Sequence, residues 1–335
     1  QVLAAYQEES NLLNLQNTLM DTITDVVRTY RSFLLVQRGL EINRLSLERA
    51  QELLEKNRIL IEEGRKAKVE LIETEANVAS QELNFMISRN AVDAARLELL
   101  KLLDIDQHLS IEPTESIEVE PVRLKEKTLL QLALKNRPEY RQALLALKEA
   151  QTNLFLAENE QQWQLDFAAR YNITDSGEYT VDSSEETSDG AGDYSVSMEL
   201  TIPFGDDSTE RNLLSAKVAC RKAEIALKEL KENIEISVQN TRRDIDMQWK
   251  QVELSQKARD LSRKQLDVEL EKFKNGNSEN FQVVSYQNSL IASELNENRT
   301  KIDYLNALTE LDRFLGTTLE HWGIDPATVR KVELP

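Results

Sequence analysis

The chain has 335 residues, with nine glycines and six prolines where average usage would give roughly 40 of the two together. This scarcity excludes a loop-rich β-sandwich, a glycine-rich nucleotide-binding scaffold and a disordered Pro/Gly-rich chain. The formal net charge of −18 argues against a nucleic-acid partner, and one cysteine with two histidines gives no basis for a disulfide, a metal site or a bound cofactor.

Residues 1–104 are predicted to form one long helical hairpin. Helix formers fill the sequence on both sides of Gly64, and Gly39 is the single glycine before it. Apolar residues recur every seven positions, which is typical of coiled-coil seams: Leu40, Leu47, Leu54 and Ile61 before the glycine, Val69, Ala76 and Leu83 after it, and Ile72, Ala79 and Met86 three residues behind these. We expect two antiparallel helices joined at Gly64 in the left-handed conformation.

Residues 105–163 are predicted to be a connection followed by a helix. Pro113 and Pro121 divide the segment "LSIEPTESIEVEPVRL", which indicates an irregular chain with little strand. The next segment, "NRPEYRQALLALKEAQTNLFLAENEQQW", has the composition of a helix that is interrupted, or begins, near Pro138.

Residues 164–204 are predicted to form a β-hairpin. The segments "LDFAARYNI" and "YSVSMELTI" alternate apolar and polar residues, and the acidic Ser/Thr/Gly-rich segment 174–193 between them is predicted to be a loop. Strands of about nine residues are long enough to cross a bilayer when tilted, although a soluble hairpin has the same pattern. Because a lone two-stranded ribbon is marginal in water, we expect it to pair with strands of other subunits or with strands preceding Gln1.

Residues 205–316 are predicted to be a second long helical hairpin, followed by a tail at 317–335. Leu254, Leu261 and Val268 repeat at heptad spacing before Gly276. Placing 26–103 on 238–315 without gaps brings Gly64 onto Gly276, which indicates that the helix–turn–helix unit occurs twice.

In combination these segments resemble the outer membrane efflux proteins, the TolC family of channel-tunnel proteins, over about residues 15–320. The resemblance depends on "LEINRLSLERAQELLEKNRILIEEGRKAKVELIETEANVASQEL" around Gly64, on "NRPEY", on "YSVSMELTIPFGDDSTERNLLSAKVACRKAEIAL", and on "LEKFKNGNSENFQVVSYQNSLIASELNENRTKIDYLNALTELDRFLG" around Gly276. Each piece alone is weakly specific, whereas the order of all four is fairly specific.

The resemblance implies a mainly α fold, in which long antiparallel coiled-coil hairpins form an α-helical barrel in a homotrimer. A short β-hairpin of each subunit contributes to a shared outer-membrane β-barrel. The family has four strands per subunit, so the other pair is expected before Gln1. The implied function is a passive duct from the periplasm through the outer membrane in a tripartite efflux or type I secretion system, with a periplasmic adaptor and an inner-membrane pump as partners and no chemistry of its own.

Two sets of site residues follow from the resemblance. The periplasmic tip that docks on the adaptor is expected to comprise Gly64, Lys66, Glu70, Phe273, Gly276, Ser278 and Gln282. The strand residues expected to face outer-membrane lipid are Phe167, Tyr171, Tyr194, Val196, Met198 and Leu200. The tip departs from the family pattern, because Glu70 stands where an Asp is common, Gln282 and Ser285 occupy usually acidic positions, and Ser278 replaces a basic residue.

Two other classes of function share some of these features. A soluble coiled-coil scaffold would have the long helices, but it would not need strands of bilayer length between its repeats. A periplasmic adaptor also has a helical hairpin, although it should have one hairpin flanked by β-rich domains. An enzyme is the least favoured class, since the sequence has no nucleophile–base pair, metal-ligand spacing or phosphate-binding loop.

Overall fold

The computed structural model describes residues 2–64, 66–173, 192–202 and 207–325. The predicted mainly α fold is confirmed, with a single small antiparallel sheet in the described part of the chain. Most of the loop predicted at 174–193, the tail beyond 325, and residues 203–206 of the motif after the second strand lie outside the described residues.

The helices and strands include a long helix followed by a shorter one before the strand pair, and the same succession after it. They are α1 Val2–Glu62, α2 Val69–Leu102, α3 Glu126–Asn136, α4 Pro138–Asn159, β1 Gln164–Ile173, β2 Gly192–Thr201, α5 Asp207–Lys274, α6 Asn280–Leu315 and α7 Thr318–His321. The helices α1 and α5 have 61 and 68 residues, and α2 and α6 have 34 and 36.

Over the described ranges, no helix combines the length and the apolar character needed to cross a membrane.

The chain divides into two compact units. One consists of Gln1–Gln7 and Gln142–Glu229, and the other of Glu8–Arg141 and Leu230–Pro335. The second unit therefore contains both helical turns and the segment between α2 and α3, whereas the first contains the strands.

In the second unit, α1 packs antiparallel to α6. Arg28 forms an ion pair of 2.7 Å with Glu310, and the Arg31 guanidinium donates to the Leu305 carbonyl oxygen at 2.6 Å. At the other end of the pair, Asn57 contacts Asn280. Burial lowers the pKa of Arg31, and the negative charges of Glu115 and Asp312 act against this effect.

The largest apolar core of this unit joins α3, α5 and α6. Its buried members are Leu129, Ala133, Ile234, Val238, Ile245, Val252, Tyr304, Leu311 and Leu315. Tyr304 also fixes the connection between α2 and α3, because its hydroxyl donates to the Glu120 carbonyl at 3.0 Å and accepts from the Val122 amide at 3.2 Å. The connection is irregular, as predicted from its prolines.

The break between α3 and α4 falls at Pro138, the position predicted from the sequence. Arg137 precedes the proline with extended backbone angles of φ −60° and ψ 120°. A proline disfavours the helical conformation in the residue before it, so α3 ends at Asn136 and α4 begins at Pro138 itself.

The heptad seams predicted in α2 and α5 are not buried within the chain. Val69, Ile72, Leu83 and Met86 on α2 are more than half exposed, and so are Leu254, Leu261 and Val268 on α5. The face of α1 that is buried near the turn carries the polar or small residues Asn43, Ser46, Ala50 and Asn57 together with Leu53. α2 and α5 therefore each have an apolar face that their own chain leaves open.

Candidate functional sites: the hairpin tips and the strand face

Both helical turns are built on glycines with left-handed backbone angles. Gly64 has φ 68° and Gly276 has φ 74°, and a Cβ placed on either would meet no described atom within 4 Å. After Gly276, the Asn277 amide donates to the Lys272 carbonyl at 2.9 Å, which satisfies a free carbonyl at the end of α5. The predicted left-handed turns are confirmed, and the requirement for glycine there is conformational rather than steric.

Three of the predicted tip residues meet in space. The Lys66 ammonium lies 2.6 Å from a carboxylate oxygen of Glu70 and 4.0 Å from the centroid of the Phe273 ring. Lys66 therefore links the turn of the first hairpin to the last turn of α5 through an ion pair and a cation–π contact.

A buried polar chain continues from Glu70 into the interior. Asn280 donates through Nδ2 to Glu70 Oε2 at 2.9 Å, and Asn57 donates through Nδ2 to Asn280 Oδ1 at 2.8 Å. Asn57 and Asn280 are 0% and 1% exposed. This tip network of Asn57, Asn280, Glu70 and Lys66 joins α1, α2 and α6 where the two turns lie side by side. The sequence analysis missed both asparagines, because Asn at a helical position is usually solvated.

Loss of the central amide should loosen the tips. We expect Asn280→Ala to destabilise this region by about 1–3 kcal/mol, because the Asn57 amide would stay buried without its acceptor. Hydrogen–deuterium exchange measured on peptides from both turns should rise. Gln282→Ala, an exposed change in the same helix, should leave exchange unaltered; equal effects of the two substitutions would contradict a structural role for the network.

The remaining two predicted tip residues, Ser278 and Gln282, differ in their contacts. The Ser278 hydroxyl donates to the Glu269 carboxylate, and Lys272 lies 3.2 Å from the other Glu269 oxygen. The pKa of Glu269 is below its ordinary value, mainly because the carboxylate accepts the Ser278 hydrogen bond. Burial acts in the opposite direction. The side chain of Gln282 is exposed.

A depressed carboxyl pKa stabilises the fold above the ordinary pKa, and this contribution is lost as the pH falls through the lowered value. Ser278→Ala should therefore lower the thermal unfolding midpoint at pH 7, and the gap from the wild type should shrink as the pH falls through the lowered pKa of Glu269, below which the carboxyl is protonated in both proteins. Ser285→Ala, at an exposed position in α6, serves as the control. A gap that stays constant with pH would contradict the assignment to Glu269.

A cleft of about 370 Å³ opens between the two turns. Apolar side chains and lysines dominate its lining, which consists of Lys56, Ile59, Leu60, Glu63, Lys66, Phe273, Lys274 and Gly276. The cleft thus adjoins the contact between Phe273 and Lys66 of the tip network.

The strands form a second exposed site in the other unit. β1 and β2 pair antiparallel, with Phe167 opposite Met198, Tyr171 opposite Tyr194, and Leu165 opposite Leu200. The rings of Tyr171 and Tyr194 stack with centroids 6.1 Å apart. Because side chains alternate along a strand, all six residues predicted to face lipid share one face of the sheet with Leu165 and Ala169, and all six are exposed.

The opposite face of the sheet is polar. Asp166 pairs with Glu199, Ala168 with Ser197, and Arg170 with Ser195. The two acidic residues lie directly across from each other, an arrangement that a well-hydrated surface tolerates better than a buried one. The sheet is therefore amphipathic, with its apolar face open.

A sequence model described as "Outer membrane efflux protein" (OEP) matches residues 129–317, which is more than half of the chain. The chain belongs to the outer membrane efflux protein family. It is an outer-membrane channel component of an efflux system, located in the outer membrane and extending into the periplasm. The expectations of family, fold and location are confirmed.

Solved structures show the same fold at low sequence identity. The outer membrane efflux protein is similar to the Campylobacter jejuni CmeC outer membrane channel, with a TM-score of 0.75, 14% identity and coverage of 98% of this chain and 69% of that chain. The corresponding values are 0.72, 17%, 93% and 72% for the Neisseria gonorrhoeae MtrE channel, and 0.66, 15%, 93% and 72% for VceC from Vibrio cholerae. A sequence comparison with curated proteins gave no match.

The part of the efflux protein that matches the family model ends beside a close backbone contact. Gly316 caps α6 with φ 73°, and a Cβ placed on it would lie 2.7 Å from the Asn136 carbonyl oxygen and 3.0 Å from the Arg137 nitrogen. The Arg137 guanidinium lies 4.4 Å from the centroid of the Phe314 ring. The motif "NRPEY" and the end of α6, both quoted for the family resemblance, are thus in direct contact.

Proposed function

We propose that this channel works as a homotrimer and serves as the passive exit duct of a tripartite efflux or type I secretion system. In this proposal an inner-membrane pump delivers cargo through a periplasmic adaptor that docks at the hairpin tips. One observation carries the proposal. This chain belongs to the outer membrane efflux protein family, and it leaves apolar surfaces open on α2, on α5 and on the strands.

The open heptad seams support self-association. Leu254, Leu261 and Val268 are 51–56% exposed at spacing that suits a coiled coil, and the seam of α2 has the same repeat. Two different complementary surfaces on one chain generate a closed ring when each copy contacts the next head to tail. Such a ring of helices would enclose a channel, whereas a single copy would expose these leucines to water.

The strands support membrane insertion of the same assembly. In the described residues each strand pairs only with the other, so each has one edge without a partner. Closing a sheet into a barrel removes such edges, and lipid then covers an outward apolar face. We therefore assign Phe167, Tyr171, Tyr194, Val196, Met198 and Leu200 to contact with outer-membrane lipid.

The tips are assigned to the adaptor. Gly64, Lys66, Glu70, Phe273, Gly276, Ser278 and Gln282 lie at or next to the two turns. The tip network fixes the relative position of the turns, which gives a docking partner a preformed surface.

The oligomeric state of the full-length channel in detergent tests this proposal. Light scattering should give a trimer for the wild type and smaller species for Leu261→Asp, because the substitution places a charge in an apolar helix seam. Asp267→Lys changes charge at an exposed position of the same helix and should leave the trimer intact. A monomeric wild type, or a trimer insensitive to Leu261→Asp, would refute the proposed interface.

A further inference from the structure

We propose that a polar seam between α5 and α6 determines which helix each of them pairs with. The seam consists of Ser255, Arg259 and Ser262 on α5 and of Ser293, Glu297 and Thr300 on α6. It directs α5 to α6 of its own chain and reserves the adjacent apolar stripe of α5 for a helix of another copy. The role of the other copy depends on the proposed function as a homotrimer.

Three side-chain contacts build the polar seam. They follow one another at intervals of three or four residues on each helix: Ser255 Oγ to Thr300 Oγ1 at 2.7 Å, Arg259 Nε to Glu297 Oε2 at 2.8 Å, and Ser262 Oγ to Ser293 Oγ at 2.9 Å. Ser255 and Glu297 are only 4% and 6% exposed. Because this spacing is that of a coiled-coil seam, polar pairs stand where apolar ones are usual.

The charged layer of the seam is satisfied within the chain. The Lys301 ammonium lies 2.7 Å from Glu297, so the buried carboxylate has one cation from its own helix and a second, Arg259, from α5. If an apolar helix face replaced α5, Glu297 would stay buried without Arg259, which is unfavourable for a charge out of contact with water. An apolar face is therefore a poor substitute for the polar face of α5.

An apolar stripe runs beside the polar seam on α5. Leu254 and Leu261 each precede a serine of the seam by one residue, Val268 continues their repeat, and all three are 51–56% exposed. One residue corresponds to a rotation of about 100° around a helix, so the two stripes point in different directions from the same segment. Without the polar seam, burial of apolar surface would favour turning this stripe toward α6.

The first hairpin has a polar pair at the equivalent position. Asn43 donates through Nδ2 to Ser88 Oγ at 2.5 Å, which links α1 to α2. In the ungapped repeat that places 26–103 on 238–315, these two residues fall on Ser255 and Thr300. The residue types differ while the hydrogen bond recurs, which supports a requirement for a polar pair at this level of both hairpins.

A polar seam contributes less to stability than to the choice of partner. Replacing both members of a hydrogen bond or a buried ion pair by apolar groups of similar shape is often neutral or stabilising. In coiled coils, a polar residue at a seam position instead fixes the register and the oligomeric state, at a cost in stability. The seam therefore predicts that its removal harms assembly without harming stability.

Unfolding and light scattering of the full-length channel in detergent test the inference together. The test variant removes both members of two layers of the seam through Ser255→Ala, Arg259→Met, Glu297→Met and Thr300→Val. We expect its unfolding midpoint to equal or exceed that of the wild type. We also expect its trimer fraction to fall about twofold or more, with mixed species in place of the trimer, because α5 and α6 can then pair in alternative ways.

Cross-linking identifies the chain that supplies the partner helix. Arg263 and Glu294 lie 2.8 Å apart beside the seam. With Arg263→Cys, Glu294→Cys and Cys220→Ser, a short bismaleimide should join the two cysteines within one chain. In the test variant, part of the product should join two chains and migrate as a dimer on a denaturing gel.

Arg299→Met combined with Asp303→Met is the control, because it removes an exposed ion pair of α6. It should leave the trimer fraction unchanged. A test variant that forms uniform trimers with cross-links only within chains, or that unfolds below the wild-type midpoint, would overturn the seam's role while the proposed function stands. A wild type that is not a trimer would overturn both proposals.

Discussion

Val196→Lys is expected to prevent assembly of the channel in the outer membrane, whereas Ser197→Lys is expected to be tolerated. Val196 lies on the apolar face of the sheet and is 68% exposed, with Ala169 opposite it. A lysine facing lipid near the bilayer midplane costs about 2–4 kcal/mol, and a homo-oligomer incurs this cost in every subunit. Ser197 lies on the other face, opposite Ala168, where a charge can remain in water.

The two neighbouring substitutions form a matched pair, because they introduce the same side chain into the same strand. Outer-membrane fractions separated by density should contain assembled channel for Ser197→Lys and little or none for Val196→Lys. Phe167→Lys and Asn172→Lys provide the same comparison in β1. If both members of each pair assembled equally well, the apolar face would not contact lipid.

Gly316→Ala should destabilise the second unit much more than an ordinary glycine-to-alanine change. The left-handed angle costs about 1–2 kcal/mol for alanine. In addition, the new Cβ would lie 2.7 Å from the Asn136 carbonyl oxygen and 2.8 Å from its carbon. These are backbone atoms held by Pro138, so they cannot move aside as a flexible side chain would. Strain from overpacking of this kind typically adds about 1–3 kcal/mol.

Gly276→Ala is the control for this prediction. Its φ of 74° matches the 73° of Gly316, but its Cβ would meet no described atom within 4 Å. In thermal or urea unfolding, Gly316→Ala should therefore lose more stability than Gly276→Ala. The difference between the two variants measures the effect of the backbone contact alone. Equal destabilisation would mean that Asn136 and Arg137 do not pack on the glycine as described.

Much of the local structure could be predicted from the sequence because it depends on neighbours in the chain. The turns at Gly64 and Gly276, the break at Pro138 and the alternating faces of β1 and β2 each follow from a conformational preference or a periodicity of a few residues. The tip partners Lys66 and Glu70 are only four residues apart, so their contact is also local, although Lys66 lies before the start of α2.

The contacts between distant segments could not be predicted in the same way. Asn57 and Asn280 have no local signature that distinguishes them from solvated asparagines, and their burial results from the way α1 and α6 pack against each other. The requirement for Gly316 likewise depends on a peptide bond more than half the chain length away in sequence, the one that links Asn136 and Arg137. The heptads of α2 and α5 indicated that a partner helix exists without indicating whether it belongs to the same chain.

By itself, the sequence determined the elements of this channel protein: the helix pairs, their glycine turns, and a strand pair with one apolar face. Only the tertiary structure decided which helix faces are covered within the chain and which stay open, and it placed a polar network and a lysine-rimmed cleft where the two turns meet. The physical reason is that periodicity and turn propensity act over a few residues, whereas burial and pairing depend on segments that the fold brings together from far apart.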